Sequence, residues 1–155
     1  MASAATTIPL ADEAATAALG AALAKLLRPR DIVALHGTLG AGKTTLARGL
    51  IRALAGDAAL SVPSPTFTLV EIYDTPAGPL WHFDLYRLNH ADEAWELGIE
   101  QGFAEAICLI EWPERLGALL PGNRLDLSLK IDGDARRAIL SGDDAWLRRV
   151  RGLNT

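Results

Sequence analysis

A glycine-rich segment carries the clearest chemical pattern of the sequence. Residues 37–44 read Gly-Thr-Leu-Gly-Ala-Gly-Lys-Thr and fit the pattern G-x-x-x-x-G-K-[ST], which cradles the phosphates of a nucleoside triphosphate. The glycines let backbone N–H groups surround phosphate oxygens, and the Lys43 ammonium reaches the β and γ phosphates. The Thr44 hydroxyl is the expected protein ligand of Mg²⁺. We therefore predict a triphosphate-binding loop that comprises Gly37, Thr38, Leu39, Gly40, Ala41, Gly42, Lys43, Thr44 and Thr45.

Three polar residues outside this loop have the chemistry that hydrolysis needs, namely an acid that orients the metal and a group that positions the attacking water. Glu111 directly follows an apolar run at residues 107–110, where a second acidic metal ligand is expected. Asp84 alternates with apolar neighbours, and Thr66 lies in a proline-rich loop. Each residue also has an ordinary structural interpretation: a solvated strand end for Glu111, an exposed antiparallel face for Asp84 and a simple turn for Thr66.

The phosphate loop needs a strand before it and a helix after it, and the sequence predicts both. Residues 31–36 form a short apolar run that is typical of a buried strand. Residues 43–54 place leucines four apart, as one face of a helix does. An earlier helix is predicted at residues 12–27, because apolar residues recur there at steps of three and four until Pro29.

The rest of the chain predicts two hairpins, one more buried strand and two helices. The first hairpin follows an extended loop at residues 61–66 and joins residues 67–73 to 80–85 around a turn rich in Pro and Gly. The other predicted elements are a helix at 91–106, a strand at 107–110, a hairpin of 124–131 with 137–140, and a helix at 143–153. This pattern predicts an α/β fold: a single-domain, P-loop NTPase-like three-layer sandwich over residues 1–155, with a mixed parallel and antiparallel central sheet.

Composition limits the class of protein without naming an activity. The 155 residues are 50% hydrophobic and 22% charged, which suits one domain with a substantial core. The formal net charge of −4 disfavours a protein that binds nucleic acid on its own. Cys108 is the single cysteine, so an internal disulfide is excluded, and we expect it to be a small buried residue. Neither a secretory signal nor a membrane span is recognisable, so we expect a cytoplasmic protein.

Four ordered motifs together resemble one known family. They are residues 37–45 (Gly-Thr-Leu-Gly-Ala-Gly-Lys-Thr-Thr), 64–70 (Ser-Pro-Thr-Phe-Thr-Leu-Val), 82–87 (His-Phe-Asp-Leu-Tyr-Arg) and 109–113 (Leu-Ile-Glu-Trp-Pro). In this order they closely resemble the bacterial threonylcarbamoyladenosine-biosynthesis ATPase family, TsaE. The resemblance spans nearly the whole chain and is weakest over the last dozen residues.

The resemblance implies a Mg²⁺-dependent ATPase that serves the formation of N6-threonylcarbamoyladenosine at position 37 of tRNAs. It also implies two protein partners, the threonylcarbamoyl transferase subunit and its non-catalytic paralogue, with tRNA contacted mainly through them. The roles it implies by position are phosphate binding for Lys43, Mg²⁺ binding for Thr44, Glu111 and Asp84, support of hydrolysis for Glu111, Asp84 and Thr66, and nucleotide contact for Trp112 and Arg136.

One departure from the family and two rival functions bear on these expectations. Family members commonly carry Asp where this chain has Thr38, so a carboxylate in the loop is absent or replaced here. A small-molecule P-loop kinase is the first rival, although no Arg-rich lid is apparent between residues 88 and 106. A GTPase-like switch is the second, because Asn123-Arg-Leu-Asp126 mimics a guanine-reading motif. Asp126, however, falls inside a strictly alternating strand pattern.

Overall fold

The computed structural model describes residues 5–153, which build one seven-stranded sheet in the order β1-β7-β6-β2-β5-β4-β3. The strands are β1 (Thr6–Leu10), β2 (Ile32–His36), β3 (Val70–Thr75), β4 (Gly78–Asp84), β5 (Ile107–Glu111), β6 (Leu125–Asp132) and β7 (Ala135–Ser141). The helices are α1 (Glu13–Ala24), α2 (Lys43–Ala55), α3 (Ile99–Glu105) and α4 (Asp144–Val150), with 3₁₀ segments at Ala91–Leu97, Pro113–Leu119 and Arg151–Leu153.

The centre of the sheet is parallel and its edges are antiparallel. β2 pairs in parallel with β5 on one side and with β6 on the other, and β4 pairs in parallel with β5. β3 joins β4, and β7 joins both β6 and β1, in antiparallel register. The mixed sheet predicted from the sequence is therefore confirmed. Because parallel strands end on the same side, β2, β4 and β5 deliver their last residues to one edge of the sheet.

Helices cover both faces of the sheet and give the predicted three layers. On one face, α1, α2 and α4 share a hydrophobic core with side chains such as Leu35 and Leu109. On the other face, α3 and two 3₁₀ segments pack against a second cluster that includes Phe83 and Ile110. The two clusters use alternate residues of the same strands, as the two-residue period of a strand requires.

The two helices that flank the phosphate loop pack very closely. A Cβ atom at Gly20 of α1 would lie 2.4 Å from the Leu46 carbonyl oxygen, and one at Gly49 of α2 would lie 2.4 Å from the Ala17 carbonyl oxygen. Only glycine fits at either contact without moving a backbone. The glycines thus let α1 lie directly against α2, whose first residues carry Lys43 and the phosphate loop.

Most predicted elements are confirmed, and the differences have local causes. The strand predicted at 67–73 was wrong at its start, because residues 66–68 form a turn and Leu69 has φ 68° before β3 begins. The single helix predicted at 91–106 was also wrong, since Gly98 with φ 76° divides it into a 3₁₀ segment and α3. β1 was not predicted; it is a short strand that contains Pro9 and, in the described part of the chain, pairs with β7 at the edge of the sheet.

β4 lies inside the sheet, and this overturns the structural interpretation of Asp84 as part of an exposed antiparallel face. The strand has β3 on one side and β5 on the other, so residues 80–84 are buried. The polar residues of β4 are consequently enclosed near the phosphate loop.

Residues 1–4 and 154–155 of the predicted 1–155 domain lie outside the described residues. None of the described helices is long and apolar enough to cross a membrane.

Candidate active site

The phosphate loop connects the end of β2 to the first residue of α2, as the sequence pattern predicts. Gly40 and Gly42 adopt φ values of 83° and 105°, which favour glycine over other residues. Beside the loop lies a cavity of about 430 Å³. Of the predicted loop residues, those that line this cavity are Leu39, Gly40, Gly42, Lys43, Thr44 and Thr45. Gly37 and Thr38 do not line it, and Ala41 is buried in the hydrophobic core.

Lys43 is a buried cation that no described residue hydrogen-bonds. The residue lies at the start of α2 and is only 6% exposed, and within the described part of the chain its Nζ has no hydrogen-bond partner. The ammonium lies 3.8 Å from the centroid of the Trp112 ring, on which it makes a cation–π contact. Burial lowers the pKa of Lys43, although Glu111 and Asp84 oppose this. A buried ammonium without a hydrogen-bond acceptor is suited to receive an anionic ligand.

Asp84 and Glu111 lie side by side at the ends of two parallel strands. They are register partners across the β4 and β5 pair, and both are buried, at 6% and 4% exposure. Asp84 accepts a hydrogen bond from the backbone N–H of Tyr86 at 3.1 Å. Burial raises the pKa of Asp84, and the Glu111 carboxylate adds to the rise while the Tyr86 bond opposes it. The sequence-predicted acids are therefore brought together beside Lys43.

His82 contacts Glu111, one of these two acids, and was not among the predicted site residues. Its Nε2 is 2.7 Å from Glu111 Oε2, and both residues are buried. The sequence does hold a signal for it, because residues two apart on a strand point to the same face. His82 thus shares the polar face of β4 with Asp84, which the alternating pattern at residues 81–86 already indicated.

Thr66 reaches the cavity from the loop that precedes β3. It lines the cavity together with Ser64, and the two hydroxyl oxygens are 3.0 Å apart. The Leu69 N–H donates to the Pro65 carbonyl at 2.8 Å and closes the turn. At one end of the loop, Arg48 Nε donates to the Val62 carbonyl at 3.1 Å and ties the loop to α2. The structure therefore holds Thr66 at the site by a folded loop rather than by a strand.

Trp112 and Arg136 both contact the phosphate loop. Trp112 follows β5 with φ 59°, and its ring meets Lys43 and also Tyr86, whose ring centroid is 4.8 Å away. Arg136 on β7 donates from Nη2 to the Gly40 carbonyl at 3.1 Å. Arg136 also lines a smaller cavity of about 90 Å³ with Gly40, beside the larger one.

Other residues at the cavity were not predicted. They are Glu13 at the start of α1, Ser64, and the neighbours Tyr86 and Arg87. The Arg87 guanidinium lies 4.8 Å from the centroid of the Phe67 ring, a side chain that is 83% exposed. Glu13 has no local sequence signal, because only the packing of α1 against α2 brings it to the loop. Cys108, by contrast, is buried, and burial raises its pKa to about 12, which disfavours the thiolate that a nucleophile needs.

The oxygen donors at the cavity suit a magnesium ion that also binds phosphates. Thr44, Asp84 and Glu111 line it, and Mg²⁺ prefers oxygen ligands and commonly uses one or two carboxylates together with substrate phosphates. Among residues 5–153, no cluster of three or more His, Cys, Asp or Glu residues could hold a metal by itself. The described donor set therefore fits Mg²⁺ bound with a nucleotide better than a metal held by protein ligands alone.

The sequence is similar to known proteins over most of its length. The sequence model of the family described as "Threonylcarbamoyl adenosine biosynthesis protein TsaE" matches residues 10–139. A relative from Rickettsia bellii, named tRNA threonylcarbamoyladenosine biosynthesis protein TsaE, is 41% identical over 116 residues, 75% of this chain and 80% of its own length. A relative of the same name from Bacillus subtilis is 39% identical over 125 residues, 80% of this chain and 77% of its own length.

The fold comparison points the same way. The crystal structure of Bacillus subtilis YdiB superposes with a TM-score of 0.82 at 26% sequence identity, and the match covers 99% of this chain and 96% of that one. The match of the family model over most of the sequence, and the identity to curated relatives over about three quarters of it, show the family. The chain belongs to the TsaE family of threonylcarbamoyl adenosine biosynthesis proteins.

Proposed function

We propose that this protein is a cytoplasmic, Mg²⁺-dependent ATPase required for the N6-threonylcarbamoyladenosine modification of tRNA. It hydrolyses ATP in a complex with the threonylcarbamoyl transferase subunit and its non-catalytic paralogue, which make most of the contacts to tRNA. The observation that carries the proposal is the buried Lys43 ammonium, which no residue of 5–153 hydrogen-bonds and which lies beside two carboxylates at the start of α2. The curated relatives bear names that place them in the same tRNA modification.

Each residue of the site has its own role in the proposed hydrolysis. The backbone of residues 37–45 and the Lys43 ammonium, which lies over the Trp112 ring, bind the β and γ phosphates. Thr44, Asp84 and Glu111 would hold Mg²⁺, and the bound ion would supply positive charge to the phosphate oxygens. Glu111 and Asp84 also orient the attacking water, with the Thr66 hydroxyl near the γ phosphate. Arg136 holds the loop through the Gly40 carbonyl and contacts the nucleotide.

The GTPase-like alternative has little support in the surroundings of Asp126. Its Oδ1 lies 2.8 Å from His36 Nε2 and accepts a hydrogen bond from Arg124 Nε at 3.0 Å. Asp126 Oδ1 is thus engaged by His36 of β2 and by Arg124, which directly precedes β6, and this leaves it less available to a guanine base. The pattern at residues 123–126 is better explained by these structural contacts.

The test is phosphate release from ATP and from GTP by the purified protein, alone and with the transferase, its paralogue and unmodified tRNA. We expect ATP turnover to rise severalfold only with the partners, and modified tRNA to accumulate over several cycles. Turnover that ignores the partners but requires a small-molecule acceptor would favour the kinase function instead. A preference for GTP would favour the nucleotide switch.

A further inference from the structure

His82 and Glu111 form a buried hydrogen-bonded pair next to the phosphate loop. The distance from His82 Nε2 to Glu111 Oε2 is 2.7 Å, and the two side chains are 2% and 6% exposed. A carboxylate oxygen can only accept, so the His82 Nε2–H donates this bond. A charged or charge-assisted hydrogen bond of this length in a buried site is among the stronger ones that proteins make.

The strand register explains how His82 reaches Glu111. His82 is paired in register with Leu109, and Asp84 with Glu111, on the adjacent parallel strands β4 and β5. The His82 ring therefore reaches along β5 past Leu109 to the carboxylate that ends the strand. Among the described residues, His82 Nδ1 has no hydrogen-bond partner, so the Glu111 bond is the polar contact that orients the ring.

The contact engages one carboxylate oxygen and leaves the other for the cavity. Oε2 accepts from His82, while no described residue donates to Glu111 Oε1, and Glu111 lines the cavity with Lys43. Without a donor from His82, the carboxylate would have rotational freedom about its last torsion, which is broad for a glutamate. A ligand oxygen that is fixed by a second hydrogen bond binds metal and positions water more effectively than a free one.

We propose that His82 is a positioning residue that holds the Glu111 carboxylate through Oε2 and thereby presents Oε1 to the Mg²⁺ and attacking water. This inference rests on the proposed ATPase function. It assigns to His82 no contact with nucleotide and no proton transfer. A histidine that merely fills space between β4 and α2 would predict a loss of stability without a selective loss in metal use or turnover.

Three variants separate the hydrogen bond from the volume of the ring. His82→Gln keeps a donor at the same number of bonds from Cα as Nε2, whereas His82→Asn places its donor one bond shorter, near the position of Nδ1. His82→Leu fills similar space without any donor. His90→Leu is the matched control, because His90 is exposed and does not line the cavity.

The first readout is the Mg²⁺ dependence of ATP binding, measured by calorimetry at a series of Mg²⁺ concentrations. We expect His82→Leu and His82→Asn to need about tenfold more Mg²⁺ for half of the metal-dependent gain in affinity, and His82→Gln to stay within about threefold of the parent protein. ATP affinity without Mg²⁺ should be unchanged in all three. Equal Mg²⁺ requirements in His82→Leu, His82→Gln and the parent would overturn the proposal.

The second readout is steady-state ATP turnover in the complex with the partners. We expect His82→Leu to lower kcat about 10- to 100-fold with KM for ATP within about threefold, and His82→Gln to restore most of the loss. A fall in kcat that Gln fails to restore would identify a structural role and contradict the positioning role. If the parent protein binds ATP without Mg²⁺ dependence and hydrolyses none, the proposed function itself fails. If the parent is active and His82→Leu equals it, this inference alone fails.

Discussion

Lys43 is the charged residue of the site that most lacks an acceptor, and a bound anionic ligand would supply one. Its ammonium is buried, contacts the Trp112 ring and has no hydrogen-bond partner among the described residues. The free energy cost of its burial is only partly offset by the nearby carboxylates, since its pKa is lowered overall. A triphosphate would supply the anionic oxygens that this ammonium lacks. At the residue scale, we therefore expect Lys43 to make a large contribution to the affinity for nucleotide.

The Lys43→Ala variant tests this contribution to nucleotide affinity. We expect ATP affinity to fall by at least about a hundredfold, which corresponds to about 2.7 kcal/mol, because a charge-assisted contact to phosphate is lost. Calorimetric titration with Mg²⁺ and ATP measures it. Lys130→Ala, at an exposed position on β6, is the control and should bind ATP normally. A loss of less than tenfold in Lys43→Ala would remove this lysine from the phosphate site.

At Asp84, we expect the charged side chain to lower the stability of the folded protein while it supports ATP turnover. Burial raises its pKa above the ordinary 3.8, so its charged form lowers the stability of the folded protein at neutral pH. Asp84→Asn should therefore raise the melting temperature at pH 7 and lower ATP turnover about a hundredfold, while sparing much of the ATP affinity.

The pH dependence gives this prediction a sign that can be checked. Below pH 3.8 the carboxyl group is protonated in both the folded and unfolded chain, so its charge contributes no penalty there. The penalty develops as the pH rises from 3.8 to the raised pKa of the folded state and stays constant above it. The stability advantage of Asp84→Asn should thus open over that range and then level off. Melting curves across pH measure it, and an advantage that shrinks as the pH rises would contradict the assignment.

At the scale of elements, the packing of α1 against α2 fixes the position of Lys43 and Thr44, the residues at which the phosphate loop enters α2. The two glycines at their contact bring the helix backbones so close that a methyl group at either would meet a carbonyl oxygen. Any shift of α2 moves Lys43 and Thr44, which are its first residues. Stability and nucleotide affinity should therefore change together when this contact is disturbed.

The Gly49→Ala variant tests that coupling. An added Cβ would lie 2.4 Å from the Ala17 carbonyl oxygen, so the helices must separate. We expect the free energy of unfolding to fall by about 1–3 kcal/mol, as for other overpacked sites, with a measurable loss of ATP affinity. Urea unfolding and calorimetry provide the two values. Gly122→Ala is the control, since nothing lies within 4 Å of the added atom. A fully stable Gly49→Ala protein would show that the helices separate without cost.

The elements around the phosphate loop were predictable from the sequence because their signals are local. β2, the loop and α2 form one continuous stretch, and Glu111 ends an apolar run that is recognisable by itself. The position of β4 was not predictable, because its hairpin with β3 is local whereas its parallel pairing with β5 joins distant residues. For the same reason, the burial of Asp84 and the contact between His82 and Glu111 required the assembled sheet. Whether the predicted residues bind nucleotide and metal as assigned stays a prediction.

At the scale of the whole molecule, the arrangement of charge bears on how the protein would meet tRNA. The net charge is −4, and several of the arginines already make contacts within the fold. Arg48 and Arg52 donate to the carbonyls of Val62 and Leu60, and Arg149 pairs with Asp31. The charge of Arg149 is paired, and Arg48 and Arg52 are held against the fold, so these side chains are less free to reach phosphates on an external partner.

We therefore expect the isolated protein to bind tRNA no more tightly than about 10⁻⁴ M at physiological salt, the weak end of non-specific binding. Filter binding or fluorescence anisotropy with unmodified tRNA measures this affinity, and the complex with the two partner proteins is the positive control. Binding to nucleic acid through basic residues weakens steeply as salt rises, so the salt dependence identifies its origin. Micromolar binding by the isolated chain with a steep salt dependence would show that it has a phosphate-binding surface of its own. The tRNA would then be a direct ligand of this protein and not mainly of its partners.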